Sequence, residues 1–320
     1  MKFKRACLTG GAGFIGSNLA RRLLRENLEV VVIDNLSVGK RENVPAGVEL
    51  VVADILDSGA VNSAVRGCDI VFHLAARVAI RSSFDFVVED TMTNVSGTAS
   101  VLRAAATSGT ARKVITASSM AVYSDALSPV PVSEEHPTRP ISPYGISKLA
   151  AENLTHSLCA AAGMDCLVLR FFNTYGPGQK FSPYVGVVTI FVNKLARRDT
   201  PVIFGDGCQA RDFVHVEDIV SGCVCAMNSH ATGDTINIGT GQATTVNAIY
   251  KMLAGHLGSS LEPTHAGPVP GELRFSIADI SKARRLLGYA PSHSLEANLG
   301  QVADEILADL RIRGTALDLK

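Results

Sequence analysis

The chain has 320 residues, and its 30 lysines and arginines balance 30 aspartates and glutamates, so the formal net charge is zero. Hydrophobic residues make up 47% and charged residues 19%, a composition typical of a globular protein with a large core and not of a disordered or collagen-like chain. The balanced charge offers no basic footprint for nucleic acid and no polybasic patch for a membrane, so we expect a small-molecule partner.

The first half of the chain alternates short apolar runs with helical patterns. The apolar runs predict strands at Ala6–Thr9, Glu29–Ile33, Glu49–Ala53, Ile70–Leu74, Lys113–Ala117 and Cys166–Arg170. The helical patterns lie at Ser17–Glu26, Ser58–Val65, Val87–Ser108 and Tyr144–Ala162. This alternation indicates a parallel sheet covered on both faces, which is a Rossmann-type doubly wound α/β fold.

The pattern changes after Phe172, where Pro, Gly, Asn and Tyr cluster. The later segments predict a helix through Leu195, a strand at Pro201–Phe204, a helix at His215–Met227, a strand at Thr235–Ile238 and a mostly helical end from Gln242, broken by the proline-rich stretch Glu262–Gly271. We therefore predict a large domain of residues 1–172, to which 208–238 return, and a smaller C-terminal α/β lobe of residues 173–207 and 239–320.

A glycine-rich loop joins the first strand to the first helix. Gly10 permits the tight turn, Gly13 lets the backbone approach a pyrophosphate, and Gly16 allows close packing of the helix on the strand. Asp34 ends the second strand, where a carboxylate can bind both ribose hydroxyls, and this favours NAD over NADP. Lys40 and Arg41 nearby leave NADP as an alternative, and the loop alone does not exclude a flavin.

A tyrosine and a lysine share one face of the helix that begins near Tyr144. Their i,i+4 spacing places the phenol of Tyr144 beside the ammonium of Lys148, and a neighbouring cation lowers the pKa of a phenol toward the range of a general base. Ser118 and Ser119 follow the fifth strand at the edge where ligands bind in such sheets. A serine hydroxyl there can relay a proton to the tyrosine.

Seven cysteines show no paired CxxC spacing and no cysteine–histidine zinc spacing. Most of them lie in apolar runs, which is typical of buried thiols in a reducing compartment, so we expect no metal. The chain runs directly into its first strand and has no apolar run of membrane-spanning length. We expect a cytoplasmic protein.

The string TGGAGFIGSNLA, the serine pair and Tyr144-x-x-x-Lys148 together resemble the extended short-chain dehydrogenase/reductase superfamily. Within it the chain is most similar to the nucleotide-sugar 4-epimerases of the NAD-dependent epimerase/dehydratase family, through segments such as Arg170-Phe171-Phe172-Asn173 and Arg211-Asp212-Phe213. The resemblance implies that Ser119, Tyr144 and Lys148 are catalytic, and that the large domain binds NAD while the smaller lobe binds a UDP-sugar.

The resemblance also implies two sets of contacts. The residues expected at NAD are Gly10, Gly13, Phe14, Ile15, Asp34, Asn35, Ser37, Gly39, Asp54, Ile55, Leu74, Ala75, Ala76, Asn94, Tyr144, Lys148 and Phe171. The residues expected at the substrate are Ser118, Ser119, Tyr144, Asn173, Val187, Val202, Phe204, Arg211 and Arg274. Asn173 and Arg211 would contact the diphosphate, and Val202 and Phe204 would flank the uracil.

The implied activity is reversible epimerisation at C4 of UDP-glucose, UDP-N-acetylglucosamine or both, through a transient 4-keto sugar. Met120 and Ala121 stand where related dehydratases carry an Asp-Glu pair, so the groups needed for elimination are absent. Asn173 and Lys180 disfavour a uronate substrate without excluding it. UDP-glucuronate 4-epimerase, an NAD(P)-dependent reductase or dehydratase and, more remotely, a non-catalytic dinucleotide sensor remain as alternatives.

Two positions depart from the family pattern. Val269 replaces an arginine that binds diphosphate, and Arg274 is a candidate substitute; an alternative for Arg211 is a surface ion pair with Asp206 or Asp212. Ser276 stands where the family gates sugar size, and a small residue leaves room for a 2-acetamido group. The resemblance further implies a homodimer, formed when the long helix and the Tyr144 helix of two copies make a four-helix bundle.

Overall fold

A parallel seven-stranded sheet forms the centre of the computed structural model, which describes residues 3–78, 80–179, 186–268 and 271–312. The strands are β1 (Arg5–Thr9), β2 (Glu29–Asp34), β3 (Glu49–Val52), β4 (Ile70–His73), β5 (Lys113–Ser119), β6 (Asp165–Phe171), β7 (Asn173–Tyr175), β8 (Val202–Phe204), β9 (Ala210–Arg211), β10 (Phe213–His215), β11 (Asp234–Ile238), β12 (Thr244–Thr245), β13 (Thr264–Ala266) and β14 (Phe275–Ser276). The spatial order of the large sheet is β11-β6-β5-β4-β1-β2-β3.

Ten α-helices belong to the described part of the chain. They are α1 (Phe14–Arg25), α2 (Ser58–Val65), α3 (Val87–Thr91), α4 (Thr98–Thr107), α5 (Pro143–Ala162), α6 (Val187–Ala196), α7 (Val216–Asn228), α8 (Val246–His256), α9 (Ser281–Leu287) and α10 (Leu295–Ile312). Helices α1 and α7 pack together, and α4 packs against α2 and α5. None of the helices described here is long and apolar enough to cross a membrane.

The strand order reverses at β1, which pairs with β2 on one side and β4 on the other. The chain after β1 and the chain after β4 therefore leave the sheet side by side, at the point where ligands bind in open α/β sheets. Every residue of β4 and β5 is buried, since apolar clusters cover both faces of the sheet. The predicted Rossmann-type fold is confirmed.

A separate apolar cluster holds α6, α8 and α10 together. Small sheets surround it: β7 pairs with β10, β8 with β13, and β9 lies between β12 and β14. Strand β11, in contrast, adds to the large sheet beside β6. Strand β7 begins two residues after β6 ends, and the N–H of Asn173 on β7 donates to the carbonyl of Asp212, which follows β9, so β9 and its neighbour β14 lie near the carboxyl end of β6.

The predicted helix Val87–Ser108 is one continuous helical stretch, but it is not α-helical throughout. A π-helical segment, Met92–Gly97, separates α3 from α4. Single π-turns inside α-helices are rare and occur often at functional sites. Helix α1 begins at Phe14, three residues before the predicted start, so the last glycine of the loop lies inside the helix.

Candidate active site

The glycine loop packs too closely for side chains. Gly10 has a φ of 73°, and a Cβ on Gly16 would lie 2.2 Å from the carbonyl oxygen of Gly10. Gly13 is the N-cap of α1, and no side chain caps that end of the helix. The first N–H groups and the positive end of the helix dipole are therefore free for an anion, which fits the pyrophosphate of NAD.

Asp34 links the second strand to the glycine loop. Its carboxylate accepts hydrogen bonds from the backbone N–H of Ala12 at 2.9 Å and of Leu36 at 2.8 Å. Each carboxylate oxygen keeps a lone pair, so the group remains able to accept ribose hydroxyls. Asn35 donates to Asp54 at 2.8 Å, which gathers several predicted cofactor residues at the ends of β2 and β3.

His73 holds the chain after β4 in place. Its Nδ1 lies 2.8 Å from the hydroxyl of Thr9 and its Nε2 lies 2.8 Å from the hydroxyl of Thr98. Burial, helped by the charge of Lys148, lowers the pKa of His73 to about 3, so the imidazole is neutral. The Thr9 hydroxyl also accepts the N–H of Ala75 at 3.1 Å, and this fixes the predicted cofactor segment Leu74–Ala76 beside the glycine loop.

Asn94 lies in the π-helical segment, and both the oxygen and the nitrogen of its side-chain amide form hydrogen bonds within the protein. Its oxygen accepts the N–H of Arg77 at 2.8 Å, and its nitrogen donates to the carbonyl of Arg77 and to the Ser147 hydroxyl. The amide thus ties the segment at Arg77 to α5. A Cβ on Gly97 would lie 2.4 Å from Ile55, so the same segment packs closely on another predicted cofactor residue.

The three predicted catalytic residues come together at the ends of β5 and α5. Ser142 caps α5 through its hydroxyl and Pro143 follows in the first turn, which sets Tyr144 at the start of the helix. Burial raises the pKa of Tyr144 to about 12, while its side-chain hydrogen bond with Ser119 lowers that pKa and the charge of Asp90 raises it. In the protein alone, Ser119 rather than Lys148 is the group that favours the phenolate.

Lys148 is a buried cation. Only 5% of the residue is exposed, and no hydrogen bond joins its ammonium to any residue that the structure describes. Burial lowers the pKa of Lys148 to about 8, and the charge of Glu152 raises it. A buried ammonium without an acceptor is costly, so this site is suited to a ligand that supplies hydroxyl or phosphate oxygens.

A buried polar network behind the catalytic residues was not predicted. Ser118 donates to Glu152, which accepts a two-pronged ion pair from Arg170 at 2.9 and 2.7 Å. The Arg170 guanidinium stacks on the ring of Tyr123, whose hydroxyl donates to Asn237 at 2.6 Å. Ser118, a predicted substrate contact, therefore uses its hydroxyl proton in a hydrogen bond within the protein. The sequence signal for the network is a glutamate one helical turn after Lys148.

Arg211 is the main cation on the substrate side. It is 8% exposed, and it donates to the carbonyls of Ala210 and Arg274 at 3.1 and 3.0 Å. The predicted alternative, a surface ion pair with Asp206 or Asp212, is wrong: Asp206 pairs with Arg274, and Asp212 accepts bonds from Thr240 and neighbouring backbone. Arg211 stays free to bind an anion.

The other predicted substrate residues lie on several elements and differ in how far they are buried. The buried side-chain oxygen of Asn173 has no hydrogen-bond partner within the described ranges, and the backbone N–H of Asn173 donates to the carbonyl of Asp212. Val187 begins α6, and Val202 and Phe204 lie on β8. Arg274 is half exposed and carries a carboxylate partner. Val269 and Lys180 lie outside the described residues.

A second polar cluster lies apart from these residues. Ligand atoms of His215, Glu217 and His293 lie within 4.8 Å of one another. The two imidazole rings are stacked, 4.4 Å apart and 19° from parallel, and Nδ1 of His293 lies 3.0 Å from Asp218. Imidazole lone pairs lie in the ring plane, so two stacked rings do not point at one ion. The prediction of no metal stays a prediction.

Known proteins share this fold and these motifs. A sequence model of the NAD dependent epimerase/dehydratase family matches residues 6–239. UDP-glucose 4-epimerase of Mycolicibacterium smegmatis is 35% identical over 306 residues, covering 94% of this chain and 97% of that protein. UDP-glucose 4-epimerase of Thermotoga maritima, solved with UDP-glucose, has a TM-score of 0.92 at 35% identity and covers 96% of this chain and 99% of that one.

A third similar protein is named for a different substrate. UDP-N-acetylglucosamine 4-epimerase of Methanobrevibacter ruminantium, solved with UDP-N-acetylmuramic acid, has a TM-score of 0.90 at 30% identity, over 97% of this chain and 100% of that one. The prediction of NAD from the glycine loop and Asp34 is confirmed by the family to which these matches point. The motifs, the fold and the matched sequence agree, and the chain belongs to the NAD dependent epimerase/dehydratase family.

Proposed function

We propose that the protein is a UDP-sugar 4-epimerase that interconverts UDP-glucose with UDP-galactose, UDP-N-acetylglucosamine with UDP-N-acetylgalactosamine, or both. The observation that carries the proposal is the hydrogen bond between Ser119 and Tyr144, one helical turn before the buried ammonium of Lys148, which has no hydrogen-bond partner among the described residues. Met120 and Ala121 follow Ser119 and offer no acid or base for an elimination. These groups suffice for proton transfer at one sugar hydroxyl, which is what epimerisation at C4 requires of the side chains besides hydride transfer to a nicotinamide.

In the proposed mechanism the glycine loop and Asp34 would hold NAD, which would supply a reversible hydride acceptor for C4 of the sugar. Tyr144 takes the proton of the 4-hydroxyl, and Ser119, bonded to the phenol, passes the proton between them. Lys148 is protonated at neutral pH, since its pKa of about 8 lies above it, and the hydrogen bond from Ser119 favours the phenolate that takes the proton. The buried Glu152–Arg170 ion pair lies behind Lys148 and fixes the position of Ser118, which donates to Glu152.

The diphosphate of the substrate is proposed to bind at Arg211 and Asn173. A guanidinium binds phosphate oxygens with two parallel hydrogen bonds, and Arg211 donates to backbone carbonyls and forms no ion pair within the described part of the chain. The names of the relatives support uridine as the base. We extend the proposal to the domains: the sheet of residues 1–172 with 208–238 binds NAD, and residues 173–207 and 239–320 form the nucleotide-sugar lobe.

Ser276 is proposed to admit both hexoses and N-acetylhexosamines. It pairs with Arg211 across β14 and β9, it is 2% exposed, and its hydroxyl has no partner within the described residues. A small side chain with a free hydroxyl leaves room at this position and can hydrogen-bond an acetamido group.

A homodimer is proposed for the same protein. Three large apolar side chains are exposed on neighbouring elements, namely Val88 on α3 (71%), Met92 in the π-helical segment (47%) and Ile146 on α5 (58%). An exposed apolar patch of this kind marks an interaction surface. These side chains lie on the long helical stretch and on the Tyr144 helix, which the sequence resemblance assigns to the subunit contact. The proposed occupant of the patch is therefore a second copy of the chain.

The test is proton NMR of the purified protein incubated with UDP-glucose or UDP-N-acetylglucosamine, without added NAD. New galacto-configured anomeric signals are expected from at least one sugar. Tyr144→Phe should lower turnover by about two orders of magnitude or more while NAD stays bound, and Tyr250→Phe, on the remote helix α8, should leave it unchanged. Near-normal turnover in Tyr144→Phe would contradict the mechanism, and conversion of UDP-glucuronate alone would favour the alternative substrate.

A further inference from the structure

Glu152 lies one helical turn after Lys148 on α5, and the hydrogen bonds of its carboxylate lead away from that lysine. Ser118 near the end of β5 donates to Oε1, and Arg170 on β6 donates to Oε1 at 2.9 Å and to Oε2 at 2.7 Å. The side chains of Glu152 and Arg170 are 3% and 6% exposed. A buried carboxylate that is held by donors from two strands keeps its negative charge fixed in place, at a distance from the ammonium.

The titratable groups that pack near Lys148 from other parts of the site are neutral or already paired. His73 on β4 is neutral, because burial, helped by the charge of Lys148, lowers its pKa to about 3. Tyr144 is a neutral phenol in the protein alone, because burial raises its pKa to about 12. Asp90 on α3, whose charge acts on Tyr144, forms an ion pair with Arg77 at 2.8 Å.

The charge of Glu152 acts on Lys148 without a direct bond. Burial lowers the pKa of Lys148 to about 8, and the charge of Glu152 raises it. Residues four apart on a helix are neighbours on one face, and charges at that separation interact strongly where water is excluded. The Arg170 guanidinium stacks on the Tyr123 ring, and its Nη1 has no hydrogen-bond partner within the described ranges. One carboxylate thus serves two buried cations, Arg170 through hydrogen bonds and Lys148 through its charge.

We propose that Glu152 is a positioning residue of the catalytic centre, a fixed counter-charge that keeps Lys148 an ammonium and leaves the donors of that ammonium to a ligand. The proposal rests on the proposed function, in which Lys148 is catalytic. A carboxylate bonded directly to Lys148 would also stabilise the charge, but it would occupy donors that the ligand needs. Ser118 and Arg170 hold Glu152 away from that bond, which gives the buried network a part in the reaction.

The first test is the pH dependence of kcat/KM for a UDP-sugar, measured with the NAD-loaded protein. Glu152→Gln removes the charge and keeps the shape of the side chain. The alkaline fall in kcat/KM, where Lys148 loses its proton, should therefore move down by about one pH unit or more. Glu152→Asp keeps the charge and should restore most of the original position. Glu26→Gln, which breaks a surface ion pair with Arg22 on α1, should not move the fall.

A second variant covers the case in which Glu152→Gln does not fold, since that change leaves Arg170 as a buried charge without its partner. Glu152→Gln combined with Arg170→Met removes both charges of the pair, and it should move the alkaline fall in the same direction. A purely structural role for Glu152 would lower kcat/KM at every pH and leave the position of the fall unchanged, and that result would refute the inference.

Urea unfolding of the protein stripped of NAD tests the inference without turnover. A lysine whose pKa is lower in the folded state makes the protein gain stability as the pH rises from the folded to the unfolded value. In the Glu152 variants this gain should begin at a lower pH than in the unaltered protein, and in a Lys148→Met background they should show no such displacement.

The two experiments separate the possible failures. If the gain in stability begins at the same pH in the Glu152 variants and in the unaltered protein, the inference is wrong. If the displacement is present but no UDP-sugar is epimerised, the proposed function fails, and the effect of Glu152 on the charge of Lys148 stands.

Discussion

Replacing the buried ammonium of Lys148 should stabilise the protein while it removes activity. The change is Lys148→Met, which keeps the length and the apolar stem of the side chain. Lys148 is almost fully buried, and no hydrogen bond joins it to the residues that the structure describes. A charge in that position opposes folding, because the unfolded chain returns it to water.

The magnitude follows from the pKa of Lys148, which burial lowers to about 8 from 10.5. At about 1.4 kcal/mol per pH unit, the difference corresponds to about 3 kcal/mol. A lysine whose pKa is lower in the folded state reduces the free energy of unfolding by the full amount below pH 8. This reduction becomes smaller as the pH rises to 10.5. At pH 9.5 a little under half of this difference remains.

The assay is urea unfolding of the protein stripped of NAD, at pH 7 and at pH 9.5. Lys148→Met should have a larger free energy of unfolding than the unaltered protein, by up to about 3 kcal/mol at pH 7 and about half as much at pH 9.5. Lys251→Met, at an exposed position of α8, should change it by less than about 0.5 kcal/mol. A loss of stability at pH 7, or a gain that does not depend on pH, would refute the reasoning.

Three further predictions follow from the fold. His73 is buried and neutral, so unfolding takes up a proton below pH 6.5; acidification from pH 7.5 to 5 should lower the free energy of unfolding by about 2 kcal/mol through this group, and His73→Gln should flatten that slope. Gly16→Ala places a Cβ 2.2 Å from a loop carbonyl and should abolish NAD retention and cost about 2 kcal/mol or more, whereas Gly255→Ala, with open space on α8, should be neutral or stabilising in a thermal melt. Ile146→Asp should convert a dimer to a monomer in sedimentation velocity, while Leu127→Asp at a fully exposed loop position should not; a wild-type monomer would contradict the proposed interface.

The large sheet could be predicted because its strands are continuous apolar runs. Strands β1, β4 and β5 are almost entirely buried, so apolar side chains face both sides of the sheet, and the predicted bounds of these strands agree with the structure to within two residues. The π-helical segment could not be predicted. No residue of Met92–Gly97 breaks a helix, and the distortion accompanies long-range bonds from Asn94 to Arg77 and Ser147.

The site was predictable where chemistry follows a short motif. The glycine loop, Asp34 and the pair Tyr144–Lys148 each combine residue type with local spacing, and the structure brings them to one edge of the sheet. Partners far apart in sequence were not predictable. Arg170 meets Glu152 only because β6 and α5 pack together, and Asp206 meets Arg274 across 68 residues.

The proposed catalytic residue Lys148 and the proposed diphosphate-binding residue Arg211 share one electrostatic feature. Lys148 and Arg211 are cations that burial disfavours, and neither has a carboxylate partner among the residues described. A dinucleotide and a nucleotide sugar both carry negative diphosphates, so each ligand supplies the counter-charge that the fold omits. Stability withheld from the empty protein is thereby returned when such ligands bind.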